Sequence, residues 1–272
     1  MTYNLLREKK GLIFGALDEN SIAWKVALRC HEEGASITLS NAPIAMRMGK
    51  IGELAKMVNA EVIPADAIST DDLQKLVQRT IEINNGPFDF VLHSIGMSPN
   101  VRKNKPYTDS NYEFMAKTMD ISALSLHKII QTCYQLDALN ENGSILALTY
   151  IAAQRVFPNY NDMADAKALL ESITRSWGYH YGVKKKVRVN TISQSPTYTT
   201  AGSGVAGFDI FFNYADGMSP LGNATADECA DYCVSMFSDL SKKVTMQNLF
   251  HDGGYSFTGV SEKMMQLFNE KE

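Results

Sequence analysis

What the chain lacks narrows its identity first. It holds four cysteines in 272 residues, and none form a Cys-x-x-Cys pair. Cys30, Cys133, Cys229 and Cys233 find no Cys or His partners at ligand spacing, so they read as reduced, mostly buried thiols and no metal is expected. No stretch approaches the roughly 18–20 apolar residues that a membrane span needs. The opening MTYNLLREKK has no apolar run of signal length, so a cytoplasmic protein without a membrane partner is expected. Basic excess is missing too. The formal net charge is −4, and the basic runs at 184–186 and at Arg102, Lys103 and Lys105 are short, which argues against a nucleic-acid partner. Internal repeats, low-complexity tracts and Pro/Ser-rich linkers are also absent, so residues 1–272 read as one domain.

What is present is alternation. Strand-like segments at 11–16, 36–40, 61–65, 88–93, 144–148, 187–192 and 246–250 are separated by helical patterns at 21–34, 45–58, 70–83, 110–136, 160–181 and 225–239. Asp71 and Asp72 favour the positive end of one helix. Thr225 with Glu228 three residues on forms a capping-box pattern at another. Seven strands alternating with helices predict an α/β fold: one Rossmann-like, doubly wound domain, with a seven-stranded parallel sheet covered on both faces. The long non-strand stretch from Gln194 to Asn223 mixes glycines with Phe208, Phe211, Phe212 and Tyr214. It reads as a substrate lid over about 196–222, or as a small helical excursion packed on the core.

The first strand–helix turn lacks Gly-x-Gly-x-x-Gly. Gly15 can still supply the tight turn, and a helix beginning near Ser21 and Ile22 can aim free N–H groups at a pyrophosphate. Asp18 and Glu19 should then face solvent. The second strand ends without a carboxylate at Asn41, which could bond the adenosine ribose. Arg47 or Lys50 could instead meet a 2′-phosphate. Asp66, past the third strand, could accept from adenine or cap a helix. Ser94, Ile95 and Gly96 follow the fourth strand, where small residues let backbone approach a ligand at the sheet's carboxyl edge.

Tyr160 and Lys167 stand two helical turns apart, with Tyr150 ten residues upstream of Tyr160. A helix starting near residue 159 puts phenol and ammonium on one face, as an enolate-forming site needs. An ordinary amphipathic helix with a half-buried Tyr and a surface Lys would show the same spacing.

Taken together, Gly15-x5-Ser21-Ile22-Ala23, Asp66, His93-Ser94-Ile95-Gly96, Tyr150-x9-Tyr160-x6-Lys167, Arg188-Val189-Asn190 and His251-Asp252-Gly253-Gly254 resemble the enoyl-acyl-carrier-protein reductases, a divergent branch of the short-chain dehydrogenase/reductases. The resemblance implies reduction of the trans-2 double bond of enoyl thioesters by NADH (NADPH being the alternative), with acyl carrier protein as partner and a homotetramer as the assembly. It implies that Ser21 and Ile22 sit by the pyrophosphate, Asp66 and Ala67 by adenine, and Ser94, Ile95 and Gly96 along the cofactor. Lys167 would hold the nicotinamide ribose, and Thr197 and Thr199 the carboxamide and phosphates. Tyr160 would bond the thioester carbonyl, with Lys167 favouring an ionised or strongly polarised phenol. Tyr150 would assist Tyr160 in catalysis and, with Met97 and Phe208, line the acyl site. Residues 205–210 of the lid carry no Lys or Arg, leaving Arg102, Lys103 and Lys105 as a substitute docking surface. The rival readings are another short-chain reductase, acting on a ketone or activated alkene, and a non-catalytic dinucleotide sensor.

Overall fold

The computed structural model describes residues 2–200 and 202–269. In chain order its regular elements are β1 (Lys10–Phe14), α1 (Ile22–Glu32), β2 (Ser36–Ser40), α2 (Pro43–Met48), α3 (Ile51–Met57), β3 (Glu61–Val62), α4 (Thr70–Ile83) and β4 (Phe88–His93). There follow α5 (Pro99–Arg102), α6 (Tyr112–Met119), α7 (Ser125–Gln135), β5 (Leu139–Thr149), α8 (Asn161–Lys185) and β6 (Arg188–Gln194). The chain closes with α9 (Phe208–Met218), α10 (Ala226–Phe237), β7 (Asn248–His251) and α11 (Glu262–Asn269).

Seven strands form one sheet in the order β3-β2-β1-β4-β5-β6-β7, and every pair is parallel. Side-chain alternation along each strand splits the interior in two. Ile13, Leu39, Phe90 and Leu146 face α1, α3 and α10. Leu12, Phe14, Val91 and Ile145 face α4, α7 and α8. The strand order reverses between β1 and β4, where Phe14 lies opposite His93. Such a reversal opens a crevice at the strands' carboxyl ends, and the candidate site lies there.

Local differences from the sequence pattern have local causes. The expected helix at 45–58 is two helices, because the backbone at Gly49 extends and the next N–H, that of Lys50, donates to Leu17 O (2.7 Å). A Cβ on Gly49 would stand 2.5 Å from that same oxygen. The third strand shortens to two residues ahead of Pro64, which has no N–H to give. The helix expected over 110–136 begins at Tyr112 and carries a π-helical turn over Asp120–Leu124 between α6 and α7. β5 starts earlier than expected, with Leu139 opposite Phe88. α8 runs on to Lys185 and stops where Lys186 turns left-handed (φ 55°).

Candidate active site

The floor of the crevice is built by close backbone approach. Gly15 follows β1 at φ +97°, a conformation that suits glycine. A Cβ there would fall 2.0 Å from Ser94 O, so the turns after β1 and β4 can touch only because that side chain is missing. Ser21 precedes α1 but does not cap it. Its hydroxyl donates to Asp18 O (2.6 Å) and accepts from Leu17 N (3.1 Å), holding the turn and leaving the first-turn N–H end of α1, at Ile22, without a side-chain cap. An uncapped positive helix end beside a side-chain-free backbone turn fits a dinucleotide pyrophosphate.

The other residues expected at the cofactor divide into free and engaged groups. Gly96 is exposed, and Ser94 and Ile95 are half-buried beside it. Asp66 Oδ1 accepts from Ile68 N (3.2 Å), while the cap of α4 is Ser69, so Asp66 shapes its turn without capping the helix. Ala67 is buried in the core. Asn41 is tied into its loop: Nδ2 donates to Ala16 O (2.9 Å) and Oδ1 accepts from Ala42 N (2.9 Å). Lys50 pairs with the exposed Glu19 (2.9 Å), which neutralises one of the two cations that could have met a 2′-phosphate. Thr197 donates to Ser195 O (3.0 Å), and Thr199 Oγ accepts from Gly202 N (2.9 Å), so both hydroxyls fold the segment after β6. Asp18 does not simply face solvent: it is half-buried and accepts from Thr200 Oγ1 (2.5 Å), joining that segment to the first turn.

Tyr160 is the residue that opens α8, and Lys167 lies two turns along it. Lys167 is buried, its Nζ donating to Leu148 O (2.8 Å) at the end of β5. A Cβ on Gly96 would lie 3.8 Å from the same nitrogen, so the ammonium sits against the loop after β4. The Tyr160 ring packs against that of Tyr150, just past β5, at a centroid distance of 5.4 Å. Tyr160 and Lys167 thus both lie near the carboxyl end of β5, the one against Tyr150 and the other on Leu148 O. The electrostatics differ from those expected. Burial pushes the Tyr160 hydroxyl above its ordinary pKa, so it is a neutral donor rather than an ionised phenol drawn down by Lys167. Burial of Lys167 lowers its pKa to about 8, opposed by the Glu171 carboxylate one turn further on.

An aromatic series leads outward from this point. Tyr160 meets Tyr150, Tyr150 meets Phe157 (5.0 Å), and Phe157 meets Phe211 of α9 (5.8 Å). Beyond it lies an apolar cavity of about 410 Å³ lined by Ile151, Phe157, Ile210, Phe211, Tyr214 and Tyr255, among others. Phe208 does not line it; its ring turns to Tyr198 (5.1 Å). Met97 does not either: its backbone N–H and C=O are both bonded by Ser122 Oγ on the π-helical turn. Of the three cations considered for docking, Lys105 pairs with Asp109 and Lys103 lies over the Phe114 ring.

Pattern reading passed over Phe157, Tyr255, Glu171 and Asp162. Tyr255 had a signal, since it follows the Gly253-Gly254 turn whose positive φ angles (62° and 93°) send the chain back over the cavity. Glu171 had one too, as a carboxylate one helical turn after Lys167. It accepts from Thr149, Gln154 and Asn248.

A family model described as enoyl-(acyl carrier protein) reductase matches residues 15–256. The chain is 33% identical to the NADH enoyl-acyl-carrier-protein reductase 2 of Rhizobium meliloti, over 94% of each chain. It is 32% identical to the NADH enoyl-acyl-carrier-protein reductase FabI of Aquifex aeolicus, over 98% of each. A crystal structure of a FabI–NADH complex from Alistipes finegoldii superposes with a TM-score of 0.96 at 61% identity, covering 97% of this chain and 93% of that one.

Proposed function

The chain belongs to the enoyl-acyl-carrier-protein reductase family, and from that premise we propose how its side chains carry the reaction. It reduces the trans-2 double bond of enoyl thioesters delivered on acyl carrier protein, with NADH as reductant. When bound, NADH supplies the hydride for the β-carbon. The uncapped end of α1 and Gly15 would hold its phosphates, Ser94–Gly96 would flank it, Asp66 and Ala67 would meet its adenine, and the segment of Thr197 and Thr199 would meet the end nearer the substrate. Lys167 Nζ, beside Gly96, takes the ribose hydroxyls.

The neutral Tyr160 hydroxyl donates to the thioester carbonyl oxygen, where enolate charge builds. A donor aimed at developing charge is worth about 3–4 kcal/mol. The α-carbon then takes a proton from solvent. Tyr150 and the aromatic cavity beyond it, closed by the lid at about 196–222 (Ala201 lies outside the described residues), receive the acyl chain. The observation carrying this reading is that the Tyr160 ring packs on Tyr150 just past β5 while Lys167 Nζ donates to Leu148 O at the end of the same strand.

The test is NADH oxidation with crotonyl thioester beside acetoacetyl thioester. The wild-type chain turns over the first and not the second. Tyr160→Phe lowers kcat by about 10²-fold with little change in NADH affinity, whereas Lys167→Ala mainly weakens NADH binding. Preference for the ketone would favour the rival short-chain reductase reading. Unimpaired Tyr160→Phe turnover would move the enolate role to Tyr150. Among the described residues no helix is long and apolar enough to cross a membrane, which supports a cytoplasmic enzyme. Tyr179 and Val183, exposed on α8, are apolar surface that a homotetramer would cover.

A further inference from the structure

The start of α8 is held by an arrangement that the reaction as described does not use. Immediately after Tyr160, Asn161 adopts φ 40°, a left-handed backbone that Asn tolerates better than most residues. Its Nδ2 donates to Lys105 O (2.7 Å), and its Oδ1 accepts from Ser110 Oγ (2.8 Å) and Asp162 N (2.6 Å). Asp162 itself has no exposed surface. Its Oδ1 accepts from Ser98 Oγ (2.6 Å), and its Oδ2 from Asn100 Nδ2 (2.9 Å) and Thr118 Oγ1 (2.8 Å). All three donors are neutral side chains. A carboxylate buried without a cation is costly, and only full hydrogen bonding and the positive end of α8 offset that cost. An apolar side chain could fill the same space, so the gain lies in geometry.

What the carboxylate joins explains that gain. Ser98 directly follows the loop Ser94–Met97, and Met97 is fastened to Ser122 on the π-helical turn. Thr118 is on α6, just ahead of that turn. Asp162 lies two residues past Tyr160. The residue that ends the cofactor loop, α5 and α6 are thus tied to one carboxylate in the first turn of α8, two residues after Tyr160. We infer that Asp162 is a positioning residue: through Ser98, Asn100 and Thr118 it sets the distance between the loop after β4 and the Tyr160 hydroxyl. The inference rests on the role proposed for Tyr160. Misplacement of a reacting group by about 1 Å can cost on the order of 10²-fold in rate.

The experiment is a double-mutant cycle on kcat for crotonyl thioester, with NADH affinity measured separately by fluorescence. Asp162→Asn keeps the shape but turns an amide N–H₂ toward one of the present donors. It should lower kcat about tenfold, with the KM for thioester and the NADH Kd changed less than about threefold. In a Tyr160→Phe background the same change should cost almost nothing more, because there is no hydroxyl left to aim. Ser98→Ala and Thr118→Val each remove one donor and should show the same non-additive loss at smaller size, and they carry the cycle if Asp162→Asn does not fold. Full turnover in these variants, or a loss that is equally large with Phe at 160, makes the network merely structural and overturns the inference. Undiminished activity of Tyr160→Phe alone would instead remove the role of Tyr160 on which the inference stands.

Discussion

At Lys167 burial and charge oppose each other. Its folded pKa of about 8 lies below the roughly 10.4 of an unfolded lysine. Between those values the unfolded chain holds the extra proton, so this group's contribution to stability rises with pH. Below pH 8 both states are protonated and the whole burial penalty is felt. The stability difference between wild type and Lys167→Met should therefore grow in favour of wild type from about pH 8 to 10, followed by urea unfolding. A flat difference would mean a normally titrating lysine. NADH affinity should run the other way, falling above pH 8 as the ammonium is lost. Spacing put Tyr160 and Lys167 two turns apart on one helix, but an ordinary amphipathic helix has that spacing too, and only the wider set of motifs singled the two out. The ionisation of the phenol was not legible, because burial belongs to the packed molecule and no pairwise spacing reports it. The same holds for Asp162, which reads in sequence as an ordinary acidic residue in a first helical turn.

Among the elements, α10 is the one whose start was most legible. Thr225 Oγ1 accepts from Glu228 N (3.2 Å), and Glu228 Oε2 accepts from Thr225 N (2.7 Å), the reciprocal pair expected from residue type and spacing. Thr225→Ala should cost about 1 kcal/mol of stability, seen as a lower urea midpoint, while kcat per folded molecule stays within twofold of wild type. A larger fall in kcat would show that the cap also steadies Gln194, whose amide reaches Ala224 O and Thr197. Breaks inside helices were not legible. The interruption at Gly49 is imposed by Leu17 from another turn, and the π-helical turn has at its middle Ser122, whose hydroxyl bonds the backbone of Met97. At Gly49 a distant carbonyl takes the next backbone N–H, and at Ser122 a side chain on the widened turn bonds a distant backbone; periodicity is blind to both. The four-residue α5 is too short to show a period.

On the scale of the whole molecule, the strand count, parallel order and two-faced core follow the alternation of apolar segments, because a parallel sheet buried on both sides leaves little choice. Assembly is a separate matter. Tyr179 and Val183 stand one turn apart on α8 with 61% and 75% of their surface exposed. If α8 packs against another copy, light scattering should report about four times the 30.1 kDa chain mass, and Val183→Glu should yield smaller species. A tetramer indifferent to that change would place the contact elsewhere. The β1–β4 pairing has a consequence for how the enzyme comes into being. Gly11 lies opposite Phe90 and Phe14 opposite His93, so the crevice proposed for the reductant joins stretches made far apart in time on the ribosome. With the nucleotide held there, a nascent chain would not trap it before its fourth strand had emerged. Once that strand docks, every molecule of NADH captured favours the finished sheet over the open chain, and starvation for the coenzyme should shorten the protein's lifetime as well as slow its chemistry.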